Sequence, residues 1–144
     1  GVPSYLINAT LLGVLAQRLV RILCPHCKQP DTEGEQQSLL RQAVKPWKIH
    51  GAYQGYTPVG CLECRNTGYR GRMGVYELLT ISETFKKLVT PQPDIDTLRR
   101  QGVKDGMRPL RLAGSLRVAE GLTTLDELLA ATPALDWDQR ASNE

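Results

Sequence analysis

The chain has 144 residues, enough for one domain or two small ones. Hydrophobic residues make up 41% and charged residues 23%, ordinary for a folded protein, while aromatics at 6% leave any core mostly aliphatic. A net charge of +3 is too mild to imply nucleic acid by itself, and no apolar run approaches the roughly 18 residues of a membrane-spanning helix.

The opening, GVPSYLINAT, has neither a basic n-region nor a cleavage site nor a Met. It reads as the interior of a longer protein, not as a secretion signal. From Asn8 to Leu23 the apolar residues Leu12, Leu15, Ala16, Leu19, Ile22 and Leu23 fall at i, i+3, i+4 spacings. That pattern predicts one amphipathic helix, capped by Asn8 or Thr10, carrying Arg18 and Arg21 in its last turns and stopped by Pro25. A short helix is expected around Glu35 to Val44. A loop-rich stretch with one short strand follows, up to Gly60. Met73, Val75, Tyr76 and Leu78 to Ile81 read as a strand leaving a glycine-rich turn.

The remainder reads as helical. Ser82 caps SETFKKLV, and DIDTLRRQG starts from Asp94 or Asp96 and is expected to stop at Gly102. DGMRPLRLAGSLRVAEG runs to Gly121, and Thr124 with Glu127 spells a capping box ahead of the last helix. The final residues are polar and expected to fray.

All four cysteines lie in two CxxC pairs, Cys24/Cys27 and Cys61/Cys64. Without a secretion signal, a disulfide framework is the weaker reading, and a reducing, cytoplasmic compartment is the default. A redox CxxC needs its first thiol at a helix N-terminus, in a strand-then-helix setting. Here Cys24 is expected at the end of a helix, and KQPDTEGE beyond it has no apolar periodicity. Two converging pairs instead supply the four thiolates of a closed, structural Zn²⁺ site, with Gly60 and Gly68 giving the second knuckle its backbone freedom. Iron suits the same four thiolates. His26 is an alternative ligand or a solvent-facing residue, and His50 reads as a loop histidine. Arg21, Lys28, Arg65, Arg70 and Arg72 crowd the knuckles, with Tyr69 as the one stacking candidate; they form either a solvated rim or a nucleic-acid patch.

Three blocks carry a resemblance: LLGVLAQRLVRILCPHC, GCLECRNTGYRGRMGVYELL and GMRPLRLAGSLRVAEGLTTLDELL, in that order. Together they resemble the C-terminal third of the secretion-superfamily ATPases that power type II secretion and type IV pilus assembly (the GspE/PilB family). The likeness covers about residues 1 to 132, and the block from Gly60 to Leu79 is the most specific. The resemblance implies an α+β, mostly helical chain in four parts. These are the final helices of a RecA-like ATPase domain (1–23), a four-cysteine zinc subdomain (24–80), a C-terminal helical subdomain (81–132) and a polar tail (133–144). It also implies zinc on Cys24, Cys27, Cys61 and Cys64, and ATP and Mg²⁺ in the parent protein. The parent would be a cytoplasmic homohexamer peripheral to the inner face of the cytoplasmic membrane, with secretion or pilus platform proteins as partners and no nucleic acid. Arg18 and Arg21 become candidates for nucleotide or inter-subunit contacts, and Arg65, Arg70 and Arg72 for partner docking. No GxxxxGK[ST] occurs in the chain, so no residue here is expected to cradle the β- and γ-phosphates or to be catalytic. The competing classes are a free-standing zinc-ribbon nucleic-acid binder and a thiol–disulfide protein.

Overall fold

The computed structural model describes residues 1–34, 37–38, 40–41 and 54–132. Within them the protein is α+β, with two small sheets and, besides helical residues 37, 38, 40 and 41, five α-helices. The elements are α1 (Ser4–Thr10), β1 (Gly13–Leu23), β2 (Gln29–Pro30), β3 (Tyr56–Thr57), a 3-10 turn (Leu62–Cys64) and β4 (Tyr69–Thr80). Four helices follow: α2 (Glu83–Lys86), α3 (Ile95–Lys104), α4 (Leu110–Ala119) and α5 (Leu125–Ala131). Strand β1 pairs with β4, and β2 pairs antiparallel with β3 in the register Gln29 to Thr57 and Pro30 to Tyr56. The β1–β4 pair is also antiparallel, since Ile81 N bonds Leu12 O at one end and Cys24 N bonds Gly68 O at the other. Among the described residues no helix is long and apolar enough to cross a membrane.

The single long helix expected from Asn8 to Leu23, and with it the "final helices" of residues 1–23, is corrected to the short helix α1 followed by an eleven-residue strand. The reason lies in which residues alternate. Val14, Ala16, Val20 and Ile22 occupy even positions, and the β-branched ones favour a pleated backbone. Along the middle of the strand Val20 is buried and Ala16 and Ile22 are half-buried, while Leu15 and Leu19 lie exposed at odd positions; at the strand's ends the alternation fails, with Val14 exposed and Leu23 buried. Apolar residues on both faces of a strand superpose into a set that also satisfies helical spacing. Gly13, which weakens a helix interior, was the contrary signal.

Contact density divides the chain into two compact units, residues 1–16 with 76–109, and 17–75 with 110–144. In the first, Ser82 accepts the Phe85 N–H at 3.0 Å to cap α2 and donates to Asp105 Oδ2 at 2.7 Å. Asp94 caps α3 by accepting from Asp96 N and Thr97 N. Helix α3 does not stop at Gly102: it runs to Lys104, and the left-handed turn falls at Gly106 (φ 99°). Gly102 is instead a buried contact, where a Cβ would stand 2.9 Å from Leu79 Cδ1.

In the second unit α4 and α5 pack over a core of Leu40, Leu112, Val118, Leu125 and Leu128. Gly114 lets them close, because a Cβ there would lie 2.1 Å from Leu128 Cδ1. The link between these helices is tied to the end of β1: Leu23 N donates to Leu122 O at 2.8 Å, and buried Thr123 donates to Arg21 O at 2.8 Å. Thr124 caps α5 by accepting from Glu127 N, but the reciprocal half of the expected capping box is not made. The Glu127 carboxylate instead accepts from the Arg21 backbone N–H at 3.2 Å and from its guanidinium. Hydrogen bonding to that guanidinium holds Glu127 below the ordinary carboxylate range.

The expected helix at 35–44 is helical at residues 37, 38, 40 and 41. Its other residues, the loop at 45–53 with His50, and the tail 133–144 lie outside the described residues.

Two outcomes follow. Gly114→Ala should destabilise the protein by about 1–3 kcal/mol in urea unfolding, as overpacking does in a close-packed core, with little change in the slope. Glu127→Gln should narrow the pH range of stability. With its folded-state pKa depressed, Glu127 stabilises above its ordinary pKa of about 4.3, and that stabilisation is lost as pH falls through the folded value. Wild type should therefore exceed Glu127→Gln near neutrality, and thermal melts of the two should converge in acid.

Candidate metal centre

Cys24 follows the last residue of β1, and its N–H bonds Gly68 O at 2.9 Å, just before β4 begins. The strand pair thus delivers the start of one knuckle beside the end of the other. The first knuckle turns back on itself, with the N–H groups of Cys27 and Lys28 both bonding Cys24 O. The second closes around the 3-10 turn, with Cys64 N and Asn66 N both bonding Cys61 O. Pro58 crosses close over Gly68, where φ is 73° and a Cβ would sit 2.4 Å from Pro58 Cβ. Only glycine fits there. Gly60 also has a positive φ, as the sequence suggested.

The four Sγ atoms lie within 4.8 Å of one another. Cys24 to Cys61 is 3.9 Å, Cys27 to Cys64 is 3.8 Å and Cys61 to Cys64 is 3.8 Å. A tetrahedron with metal–sulfur bonds of about 2.3 Å has sulfur–sulfur edges of about 3.8 Å. A disulfide requires about 2.05 Å. The spacing therefore fits four thiolates around one ion, and no disulfide is formed.

Backbone donors complete the nest. Gly60 N points at Cys27 Sγ (3.3 Å), and Cys61 N and Gly68 N point at Cys64 Sγ (both 3.2 Å). Desolvation pushes the Cys64 thiol up, yet the N–H groups of Cys61 and Gly68, with Cys61 and Cys27 beside it, bring it down to about 6. Desolvation raises Cys27 to about 11 despite the Gly60 N–H. Cys64 thus ionises easily while Cys27 resists, and a divalent cation at the centre favours the thiolate form of its sulfur ligands.

The redox alternative meets a different obstacle from the one the sequence suggested. Cys24 leaves a strand, not a helix, but a turn follows it, so no helix N-terminus faces its sulfur. His26 is exposed and stands apart from the sulfur cluster.

The arginines part company. Arg18 is exposed and donates to Gln17 O. Arg21 is engaged within the chain, paired with Glu127 and lying 4.1 Å above the Tyr69 ring, whose hydroxyl meets Thr124 Oγ1 at 3.0 Å. Arg65, Arg70 and Arg72 are all exposed, and Arg70 pairs with Glu63 at 3.3 Å. A tie that sequence reasoning missed is Lys28. It donates to Gly121 O at 2.7 Å and lies 4.7 Å from the Tyr56 ring centre, joining the first knuckle to the end of α4. A lysine just past a knuckle gave no signal of this.

Single Cys→Ser substitution at any of the four positions should abolish stoichiometric metal in elemental analysis. The second unit should loosen with it, since apparent zinc-binding energies of ~10 kcal/mol or more become folding energy in small modules. Retention of metal and of the melting temperature by Cys64→Ser would contradict this.

The sequence profile of the family described as "Type II/IV secretion system protein" matches residues 1–130. Relatives include the "Type IV pilus assembly ATPase TfpB" of Acinetobacter baylyi, 44% identical over 133 residues (92% of this chain, 22% of that protein). The "Type IV pilus assembly ATPase PilB" of Myxococcus xanthus is 38% identical over 132 residues, 92% of this chain and 23% of that protein. The "Type II secretion system protein E" of Pseudomonas aeruginosa is 37% identical over 134 residues, 92% of this chain and 25% of that protein. The chain thus spans about a quarter of the length of these relatives. A match along nearly the whole chain, with both cysteine knuckles inside it, makes this chain a member of the type II/IV secretion system protein family.

Proposed function

We propose that the chain is the zinc-stapled C-terminal portion of a hexameric ATPase that powers type II protein secretion or type IV pilus assembly. The observation that carries this is a four-sulfur cluster with tetrahedral spacing inside a chain that matches this family along residues 1–130. In this reading residues 1–23 end a RecA-like domain, 24–80 form the zinc subdomain, 81–132 a C-terminal subdomain and 133–144 a tail. Zinc is favoured because four cysteines in two CxxC pairs are a common ligand set of closed structural zinc sites. ATP and Mg²⁺ belong to the parent protein, because the P-loop pattern is missing from these 144 residues. Arg18, with its side chain exposed, is the better of the two arginines for a subunit seam or nucleotide contact.

The parent works in the cytoplasm at the inner face of the cytoplasmic membrane, and Arg65, Arg70 and Arg72 face an inner-membrane platform protein. The same exposed arginines support one other reading, a zinc-ribbon nucleic-acid binder. A gel shift at two salt concentrations separates them, since phosphate contacts give a steep salt dependence.

Elemental analysis of the protein purified without chelator should return one zinc per chain. Iron at that stoichiometry would replace zinc in the account, and no metal would end it. ATP turnover by this chain should equal that of buffer; turnover that follows the protein through a sizing column would overturn the assignment of catalysis to the rest of the parent.

A further inference from the structure

The four sulfurs of the cluster are alike in chemistry and unlike in access. Cys24 and Cys64 are buried, whereas Cys27 and Cys61 are partly open to solvent. Of the two open residues, Cys27 meets one other sulfur, Cys64 at 3.8 Å, and accepts the Gly60 N–H at 3.3 Å. Cys61 meets two sulfurs, Cys24 at 3.9 Å and Cys64 at 3.8 Å.

The backbones of Cys61 and Cys64 are also held close. Cys64 N bonds Cys61 O at 3.2 Å, and a turn closed in this way keeps its end Cα atoms within about 7 Å. A disulfide spans about 4.4–6.8 Å between Cα atoms. The first knuckle makes the same turn, but its sulfurs meet those of the other knuckle, Cys24 with Cys61 and Cys27 with Cys64. Cys61 with Cys64 therefore combines a closed turn, sulfurs in contact and one member that solvent reaches. Oxidation of cysteine follows exposure and thiolate character, and goes on to a disulfide where a resolving cysteine stands nearby.

We propose that the metal centre is a redox-releasable staple, in which a hydroperoxide oxidises Cys61, Cys64 resolves it into a disulfide within the second knuckle, and the ion is let go. With hydrogen peroxide the Cys61 thiolate attacks one oxygen. An S–O bond forms as the O–O bond breaks, and the departing hydroxide takes a proton to become water. The Cys64 thiolate then attacks the Cys61 sulfenic sulfur. The S–S bond forms as the S–O bond breaks, and the second hydroxide also leaves as water. The two thiolates lose two electrons and the peroxide gains them. Cys24 and Cys27 alone then supply half of a four-ligand site. With so few buried residues around the knuckles, loss of the ion loosens the second unit. This is a response of a structural site, not thiol–disulfide catalysis. It rests on the four-thiolate reading above and names the pair that fails first.

The test begins with elemental analysis of the chain. Absence of metal at that point would sink the four-thiolate reading and this inference with it. The zinc-loaded chain is then treated with hydrogen peroxide beside 4-(2-pyridylazo)resorcinol, whose absorbance reports free zinc. Disulfides are located by peptide mass spectrometry, and dimedone added at limiting peroxide traps the sulfenic acid. Zinc should leave at least tenfold faster than without peroxide, with dimedone on Cys61 and the disulfide between Cys61 and Cys64. Dithiothreitol with fresh zinc should restore the original melting temperature. Release no faster than without peroxide would overturn the inference and leave the metal centre standing. So would a disulfide mapped to Cys24–Cys61 or Cys27–Cys64, or sulfinic acid formed without any disulfide.

Discussion

The second unit depends on one constraint, the convergence of two cysteine knuckles brought about by an antiparallel strand pair. Cys24 N bonds Gly68 O where β1 ends and β4 begins, so the register of the strands and the spacing of the sulfurs are a single geometric fact. A one-residue slip in that register would turn Cys24 toward the other face and separate the pairs. The sulfurs in turn hold together a stretch that has little else to hold it. Beyond β2 and β3, each of two residues, the knuckles contribute turns, and only Cys24, Cys64 and Gly68 among their residues are buried. A small module with so slight a core is stable when a metal supplies the missing free energy.

The centre does not stand alone. Three contacts lead from it to the helical core: Leu23 N to Leu122 O, Thr123 to Arg21 O, and Lys28 to Gly121 O. All three end in the residues between α4 and α5, beside the buried cluster of Leu112, Val118, Leu125 and Leu128. The Arg21 side chain adds a fourth, stacked on Tyr69 and paired with Glu127. Because the pair is half-exposed on the arginine side, its net contribution is small, and the buried backbone bonds matter more. Knuckle and helices form one packed body, which explains why the compact unit joins residues 17–75 to 110–144 across the intervening segment.

Much of this was legible in the residues, and the exceptions have definite causes. The paired CxxC spacing pointed to the four sulfurs. Ser82, Asp94 and Thr124 announced their helices because a short polar side chain ahead of an apolar period has few other uses. Residues 13–23 misled because Leu15 and Leu19, exposed on β1, complete a helical period that the buried residues alone lack. Gly102 misled because a glycine needed for close packing looks like one needed for a left-handed turn. Glu127 misled because capping-box spacing cannot reveal a competing arginine that lies 106 residues away. The long-range ties of Lys28 and Arg21 were invisible for the same reason: they are set by tertiary proximity, not by local pattern.

The central claim is that metal held by Cys24, Cys27, Cys61 and Cys64 fixes the fold of the second unit. Amide hydrogen exchange, with and without a chelator strong enough to strip the metal, tests it most directly. The amides of Cys24, Gly68 and Leu23 are bonded or aimed at the centre and at the helical link, so stripping should collapse their protection. The caps of α2 and α3, built from Ser82 and Asp94, should keep theirs. Unchanged protection at Cys24 and Gly68 in metal-stripped protein would contradict the account.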